Sequence, residues 1–384
     1  MISFEFATAN RIIFGAGKLN ELAKQIGELS AKRVLLVRGY SSDAIPRLTE
    51  ILSGFAAAIT EFQGHGEPTV DVIRNGLQAA HECDLVIGLG GGSVLDAGKA
   101  IAALATNPGD VLDYLEVVGR GRALINAPLP YIAIPTTAGT GSEVTRNAVI
   151  ESTEKNVKVS LRSAWMLPRV ALVDPELTYT LPPPITASTG LDALTQLIEP
   201  FVSIKANPTT DAICREGLFH AARSLLRAYK NGADKEAREG MALASLFGGM
   251  ALANASLGAV HGFAGPLGGM LHAPHGALCA RLLPLVMEAN LNALEARQPD
   301  HPAIARYGEI AQILTGDENA TARDGLEWVR NLVSTLDIPA LSAYGMSRVD
   351  FSAAVENTMK ANSFKGNPIR LDQEELITIL EQAI

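Results

Sequence analysis

The sequence predicts a two-domain α/β protein, with a parallel-sheet domain first and an all-helical domain second. In the first half, short apolar runs alternate with segments of helical periodicity, which is the pattern of βαβ units. After the prolines Pro182–Pro184, long segments with a 3.6-residue period follow, and strand signals almost vanish. We therefore expect one domain over residues 1–183 and a second over residues 184–384.

The elements of the first half can be assigned in chain order. Arg33–Arg38 (RVLLVR) predicts a buried strand, and Pro46–Ile59 predicts the helix that follows it. In a parallel sheet, ligands bind outside the carboxyl ends of the strands. The further predicted elements are the strand Asp84–Leu89, the helix Ser93–Leu104, and the strands Tyr131–Pro135 and Ala171–Asp174.

The second half predicts helices only. Apolar residues recur there with helical spacing over segments of a dozen residues or more. The predicted helices are Gly190–Val202, Asp211–Asn231, Lys235–Ala255, Ala303–Leu314 and Ala322–Leu336.

Composition excludes several classes of function. A chain of 384 residues is too long for one ordinary core, and 47% hydrophobic with 19% charged residues is typical of a packed globular protein. A net charge of −9 without a Lys/Arg cluster argues against nucleic acid and anionic membranes as partners. The three widely spaced cysteines fit a reducing compartment, and the N-terminus shows no secretory signal. We expect a cytoplasmic protein.

One uncharged stretch resembles a membrane span. Gly240–Ala280 has no Asp, Glu, Lys or Arg and is long enough to cross a bilayer. It is built from Gly, Ala and Ser, however, with a proline and three histidines inside it. Small residues let helices approach closely, so a buried central helix pair is the better interpretation.

A glycine-rich loop is the strongest sign of a ligand. An apolar run meets four glycines within the five residues Gly88–Gly92, and a helical pattern opens at Ser93. This arrangement directs backbone N–H groups and the positive end of a helix at a phosphate. It is not a Walker A loop, because five residues separate Gly92 from Gly98 and Ala100 follows Lys99. It predicts the pyrophosphate of a dinucleotide.

A second polar loop follows the next strand. Thr136, Thr137, Gly139, Thr140 and Gly141 come directly after the YIAIP strand. Hydroxyl groups and glycines can hydrogen-bond phosphate, ribose and carboxamide while leaving room for a ligand. By itself, this loop would be interpreted as a plain Ser/Thr turn. Because it lies at the same sheet edge as the glycine loop, it predicts a contact with the cofactor.

Four residues of the second half could bind a metal. Asp192 and Gln196 are spaced i, i+4 on one helix face, and His261 and His275 flank a glycine-rich turn. Carboxylate, amide oxygen and imidazole donors suit zinc or iron. His272 lies three residues before His275 and is a ligand, a proton carrier or a bystander.

These motifs together resemble the iron-dependent (group III) alcohol dehydrogenases, of the dehydroquinate-synthase-like fold. The resemblance covers nearly the whole chain. It implies an N-terminal Rossmann-like domain, a C-terminal all-helical domain and a cleft between them. The motifs are GGGSVLDAGKA (Gly90–Ala100), IPTTAGTGSEVT (Ile134–Thr145), VDPELT (Val173–Thr178), GLDALTQLIE (Gly190–Glu199) and HGFAGPLGGMLHAPHG (His261–Gly276).

The resemblance implies hydride transfer between a small alcohol or aldehyde and NAD(P), with the alcohol oxygen on a divalent metal. The family implies Fe(2+), with Zn(2+) as the alternative, and a homodimer or larger homo-oligomer. It implies metal ligation by Asp192, His261 and His275, with Gln196 in the fourth position, and His272 is the candidate catalytic proton carrier. The implied cofactor-binding residues are Gly90, Gly91, Gly92, Ser93, Asp96, Thr136, Thr137, Thr140 and Lys158.

Three positions depart from the family pattern. Gln196 stands where the fourth ligand is usually a histidine, and Gly265 stands where a proton-relay histidine is often found. The strand ending at Arg38 often leads to an Asp that binds the adenosine ribose, but here Gly39 follows, with Ser41 nearby. An Asp would repel a 2′-phosphate, so we expect NADP(H) to be accepted beside NAD(H).

Other functions stay open at this point. A maleylacetate-reductase-like or metal-independent reductase would share the same motifs. So would a dehydroquinate-synthase-type lyase or a catalytically silent nucleotide-binding protein. The identity of the substrate is not predicted.

Overall fold

The computed structural model describes residues 3–39, 44–54, 58–64, 66–155 and 157–384. It divides into two compact units. The α/β unit comprises Thr8–Thr137 and Gly141–Leu181; the helical unit comprises Pro182–Ile384 with Ala138–Thr140 and the N-terminal residues through Ala7. The predicted fold class, a parallel sheet followed by helices, is confirmed.

The α/β unit contains a six-stranded parallel sheet and a separate antiparallel hairpin. Its strands are β1 (Ile12–Phe14), β2 (Arg33–Arg38), β3 (Ala58–Gln63), β4 (Leu85–Gly90), β5 (Tyr131–Pro135), β6 (Asn147–Ser152), β7 (Val157–Arg162) and β8 (Val170–Val173). The sheet order is β1-β8-β5-β4-β2-β3, and β6 pairs with β7. This order places β4 and β5 side by side in the centre.

The helices of this unit are α1 (Leu22–Glu28), α2 (Ala44–Ser53), α3 (Val70–Ala79), α4 (Gly92–Leu104) and α5 (Val111–Tyr114). The helix predicted over Pro46–Ile59 is therefore too long, because Ala58 and Ile59 already belong to β3. β3 lies at the edge of the sheet and has no buried residue, so no continuous apolar run marks it as a strand. Strand β3 and helix α3 both went unpredicted.

Both faces of the sheet are buried, which explains the continuous apolar runs of β2 and β4. Leu35 and Val37 belong to one apolar cluster, whereas Val34 and Leu36 belong to the cluster on the opposite face. Parallel strands covered by helices on both sides have this composition. One glycine of β4 also serves packing: a Cβ at Gly88 would lie 2.2 Å from the Tyr131 hydroxyl, so only glycine fits.

The helical unit holds nine α-helices within its described residues. The prolines Pro183 and Pro184 lie in the first turn of the first of them, where a missing N–H costs nothing. The helices are α6 (Pro183–Val202), α7 (Pro208–Lys230), α8 (Lys235–Ala255), α9 (Ala259–Leu271), α10 (His275–Arg297), α11 (Pro302–Thr315), α12 (Ala322–Thr335), α13 (Phe351–Lys360) and α14 (Gln373–Ala383).

The uncharged stretch folds as packed helices of this unit. Helices α8 and α9 meet at a bend of 100°. Among the described residues, α10 is the one helix that is long and apolar enough to span a membrane alone, and 72% of its most apolar 18 residues are buried. Small residues bring the helices together: a Cβ at Gly248 of α8 would lie 3.2 Å from Cβ of Gln196 on α6. This close packing holds the polar side chains of α6 against α8.

Candidate active site

The two predicted cofactor loops lie together at the carboxyl edge of the sheet. Gly90 pairs with Pro135 at the ends of β4 and β5, and the Thr136 N–H donates to the Gly90 carbonyl at 2.9 Å. A Cβ at Gly91 would lie 3.4 Å from Cγ2 of Thr137, so the loops are in near contact. Gly91 is the N-cap of α4 and provides no side-chain cap. The helix end is open to an anion, as a phosphate site requires.

A buried lysine of α4 binds the residues that directly follow the second loop. Lys99 of α4 is 1% exposed, and its Nζ donates to the Ser142 carbonyl and hydroxyl and to the Thr145 hydroxyl at 2.8–3.0 Å. Asp96, one turn earlier, accepts from the Ser142 hydroxyl and from the Val149 N–H. Both Asp96 oxygens thus bind the protein itself, which gives this predicted cofactor residue a positioning role.

Burial dominates the electrostatics of this network. It raises the pKa of Glu143 to about 7 and raises the pKa of Asp96, while the nearby Lys99 ammonium acts in the opposite direction on both. Burial also lowers the pKa of Lys99, against the pull of the two carboxylates. Burial therefore disfavours the charged forms of all three groups, and the attraction between Lys99 and the two carboxylates offsets only part of that effect.

The remaining predicted cofactor residues occupy several places in the structure. Lys158 lies on β7, and its Nζ pairs with Glu67 at 3.0 Å. Arg38, the last residue of β2, donates to Glu61 at 2.8 Å beside Gly39. Thr140 lies in the short segment grouped with the helical unit. Ser41 lies outside the described residues, and its role stays a prediction.

Three of the predicted metal ligands converge in the helical unit. Nε2 of His261 lies 3.4 Å from Oδ1 of Asp192, and Nε2 of His275 lies 3.9 Å from the same oxygen. The side chains of Asp192 and His261 are 2% and 6% exposed. The Asp192 Oδ1 and the Gln196 Oε1 are buried without a hydrogen-bond partner in the described part of the chain. Buried oxygens without donors fit a site that takes a cation.

A residue without a predicted role, Glu199, orients the first histidine. Its Oε2 lies 2.7 Å from Nδ1 of His261, and its Oε1 accepts from the Val260 N–H at 2.7 Å. The carboxylate thus accepts a hydrogen bond from Nδ1, and Nε2 is the nitrogen that a metal would bind. Glu199 is one turn after Gln196 on the helix face that also carries Asp192, and this spacing is the signal that could have found it.

We expect Glu199→Gln to lower metal affinity about 10- to 100-fold. The amide can still cap the Val260 N–H, but its NH₂ group would donate to Nδ1 and move the imidazole proton to Nε2. Metal affinity is measured by competition with a chromogenic chelator, with Glu216→Gln on the exposed face of α7 as the control. Equal affinity of Glu199→Gln and wild type would contradict this role.

Cys279 is the second residue that sequence reasoning missed. It lies one turn after His275 on α10, and its Sγ is 3.6 Å from Nε2 of His275 and 3.8 Å from Nε2 of His261. The four donor atoms of Asp192, His261, His275 and Cys279 all lie within 4.8 Å of one another. The signal was the i, i+4 spacing from a predicted ligand, the same spacing as Asp192 and Gln196.

The electrostatics of this cluster favour positive charge. Burial alone would raise the pKa of Asp192, but His261 and His275 hold it below its ordinary value. Burial opposes protonation of the histidines, yet Cys279 and Asp192 raise the pKa of His275 to about 9 and that of His261 well above its ordinary range. Anionic and electron-donating groups surround one point, so a cation is stabilised there.

Gly265, the altered relay position, lies on α9, and His272, the candidate proton carrier, caps the C-terminal end of that helix. His272 is exposed and ends the helix with a left-handed φ of 49°, a conformation that His adopts more readily than most residues. At Gly265 a Cβ would meet nothing within 4 Å, so the position where relatives often carry a histidine is open space in this structure.

Comparison with known proteins agrees with the fold. Residues 9–175 match the family described as iron-containing alcohol dehydrogenase, and residues 186–384 match the C-terminal domain of the Fe-containing alcohol dehydrogenase family. The chain is similar to alcohol dehydrogenase 4 of Saccharomyces cerevisiae, with 38% identity over 96% of both chains. It is also similar to 1,3-propanediol dehydrogenase of Klebsiella pneumoniae, with 34% identity over 99% of this chain and 98% of the relative.

Solved structures show the same relationship. A crystal structure of 1,3-propanediol oxidoreductase superposes with a TM-score of 0.92 at 33% identity and covers 100% of both chains. Sulfoacetaldehyde reductase from Bifidobacterium kashiwanohense, solved in complex with NAD+, has a TM-score of 0.86 at 26% identity and covers 100% of this chain and 99% of its own. These relatives favour hydride transfer over the lyase and the silent nucleotide binder. The chain belongs to the iron-containing alcohol dehydrogenase family and is an oxidoreductase that acts on alcohols with a nicotinamide cofactor.

Proposed function

We propose that the enzyme interconverts a small alcohol and its aldehyde with NAD(P), and that Asp192, Gln196, His261 and His275 hold a divalent metal. The observation that carries the proposal is the Asp192 Oδ1, which is buried without a hydrogen-bond partner and lies within 3.4–3.9 Å of two imidazole nitrogens. A protein that used this cluster only for packing would leave a carboxylate oxygen unsatisfied at considerable cost. A resident cation removes that cost.

The donor set fits such a metal. A carboxylate oxygen, an amide oxygen and two imidazoles are ligands that iron(II) and zinc accept. When bound, the cation supplies Lewis-acid chemistry that lowers the pKa of an alcohol hydroxyl. Glu199 would hold the proton on Nδ1 of His261 so that Nε2 binds the metal, and the apolar packing of α6, α8 and α9 holds the ligand side chains in place.

The reaction releases one proton for each hydride that passes from the alcohol carbon to the nicotinamide. Gly265 cannot carry that proton, since it has no side chain. His272 is the histidine we propose for it: it is exposed at the C-terminal end of α9, the helix that carries His261, so its imidazole can exchange a proton with solvent.

The dinucleotide binds, in this proposal, at the open N-terminus of α4. Gly91 and Thr137 form the approach to the pyrophosphate, and the network of Lys99 holds the second loop in position. A relative of known structure is described in complex with NAD+, which supports the cofactor class.

We further propose that NADP(H) is accepted because Gly39 replaces a carboxylate. Space exists for that carboxylate, since a Cβ at Gly39 would make ordinary contact with Val94 at 3.5 Å. Gly39→Asp should therefore fold and lower kcat/KM for NADPH about tenfold or more, while NADH is used as before. Gly39→Ala is the matched control. A wild-type enzyme that rejects NADPH, or an Asp variant that keeps it, would overturn this part.

The metal-dependent function is tested with purified enzyme depleted by a chelator and reloaded separately with Fe(II) or Zn(II). A panel of small alcohols and aldehydes is followed through NAD(P)H fluorescence. We expect depletion to abolish turnover and one of the metals to restore it, while nucleotide binding persists throughout. Full activity of rigorously metal-free protein would defeat the proposed role of the four ligands.

A further inference from the structure

Cys279 is the member of the metal cluster that has no assigned role. It is fully buried in α10, it is free of any disulfide, and its Sγ faces both ligand histidines at 3.6 and 3.8 Å. A buried cysteine is ordinarily a small apolar side chain. Here its sulfur instead lies among one carboxylate and two imidazoles.

The distances within the cluster match those of a tetrahedral metal site. With bonds of about 2.0–2.1 Å to oxygen and nitrogen and about 2.3 Å to sulfur, tetrahedral ligands lie about 3.3–3.4 Å apart for O and N and about 3.6 Å apart for S and N. The structure shows 3.4 and 3.9 Å between Asp192 Oδ1 and the two imidazole nitrogens. The sulfur lies 3.6 and 3.8 Å from the same nitrogens. Four donors therefore already surround one centre.

A second observation points to a ligand at that centre. The side chain of Asp192 is 2% exposed, and its Oδ1, the oxygen nearest the histidines, has no hydrogen-bond partner in the described part of the chain. Gln196 Oε1 is orphaned in the same way. Each of these buried oxygens needs a partner, and a bound cation or a proton donor would provide it.

The donor types indicate which cation. A thiolate is a soft ligand that suits zinc, and affinity for a given set of donors rises from iron(II) to zinc. The amide oxygen of Gln196 is a weak donor by comparison. We propose that in the resting metal site the Cys279 thiolate takes the fourth position in place of the weaker Gln196 amide oxygen, and that the set Asp192, His261, His275 and Cys279 selects zinc over iron(II). This inference rests on the proposed metal site.

Ligation by Cys279 is a proton-coupled step without electron transfer. The S–H bond breaks, a metal–sulfur bond forms, and the thiol proton leaves to solvent. A serine at this position would bind, if at all, as a neutral hydroxyl. Loading wild type with metal should therefore release one proton more than loading Cys279→Ser.

The test uses the full-length enzyme loaded with cobalt(II) as a spectroscopic substitute for zinc. We expect visible d–d bands of a low-symmetry site together with a near-ultraviolet thiolate-to-cobalt charge-transfer band. Cys279→Ser and Cys279→Ala should lose the charge-transfer band and bind zinc at least about 100-fold more weakly. Cys214→Ser, which replaces a fully buried thiol of α7 in the same unit, should change neither.

The outcomes separate the two proposals. Cobalt d–d bands without a charge-transfer band in wild type would overturn ligation by Cys279 and leave the metal site intact. A charge-transfer band that persists in both Cys279 variants, or equal affinity of wild type for iron(II) and zinc, would also overturn this inference. Failure of wild type to bind cobalt or zinc at all would overturn the proposed metal site with it. Circular dichroism of each variant shows that it is folded.

Discussion

Asp192→Asn is expected to lower kcat/KM for alcohol oxidation about a thousandfold, equal to about 4 kcal/mol of transition-state stabilisation. Asparagine has the same shape but lacks the negative charge that faces both imidazoles at 3.4 and 3.9 Å. The variant should hold metal weakly, because one anionic donor is lost. Steady-state kinetics with each metal at saturation and a direct metal analysis measure the effect.

The metal-free variant should also be less stable than metal-free wild type. His261 and His275 hold the pKa of Asp192 below its ordinary value, so the neutral amide loses an attraction that the folded carboxylate has, and metal-free Asp192→Asn should melt at a lower temperature. Asp300→Asn, at an exposed turn, is the control for the substitution itself. A metal-loaded Asp192→Asn enzyme within about threefold of wild-type kcat/KM would contradict the assignment.

Lys99→Met is expected to destabilise the protein by about 3–5 kcal/mol, as removal of one partner from a buried ion network does. The ammonium is 1% exposed and binds the Ser142 carbonyl and hydroxyl and the Thr145 hydroxyl, so its loss leaves several buried acceptors without a donor. Urea unfolding measures the change, with the exposed Lys155→Met as the control. A loss below about 1 kcal/mol would contradict the role of this network.

The destabilisation caused by Lys99→Met should also depend on pH, and the pKa values of the buried acids decide whether it grows or shrinks as the pH rises. Burial raises the folded-state pKa of Glu143 to about 7 and that of Asp96, and Lys99 opposes both shifts. Without Lys99 both values rise further, so the folded variant gains protons that the unfolded chain does not hold near neutral pH. Its stability falls as pH rises through that range. The loss should be larger at about pH 8 than at about pH 5, and a loss independent of pH would count against this explanation.

Several elements were predictable because local chemistry decides them. RVLLVR and YIAIP form strands with the predicted bounds, since each is a compact apolar run of a doubly covered sheet. The helix Lys235–Ala255 likewise has its predicted bounds. The hairpin β6–β7 went unpredicted. NAVIES lacks clean alternation, but VKVSLR alternates apolar and polar residues, and that alternation is the signal that could have found the hairpin.

The site was predictable to a smaller extent. Asp192, His261 and His275 were identified from donor type, spacing and the resemblance, and the structure brings them together. Glu199 was missed because its partner His261 is 62 residues away, and no spacing rule connects them. Cys279 was missed because the family resemblance assigns no ligand there, although it shares a helix face with His275.

By itself, the sequence determined the order of a parallel α/β unit and a helical unit, the glycine loop at a strand end, and the donor types available to a metal. These follow from periodicity, glycine and side-chain chemistry, which act within one element. Only the tertiary structure decided which donors share one centre, which oxygens stay without a partner, and that Asp96 and Lys99 support a loop. Those facts depend on how helices and strands pack, and packing is decided by contacts between residues far apart in the chain.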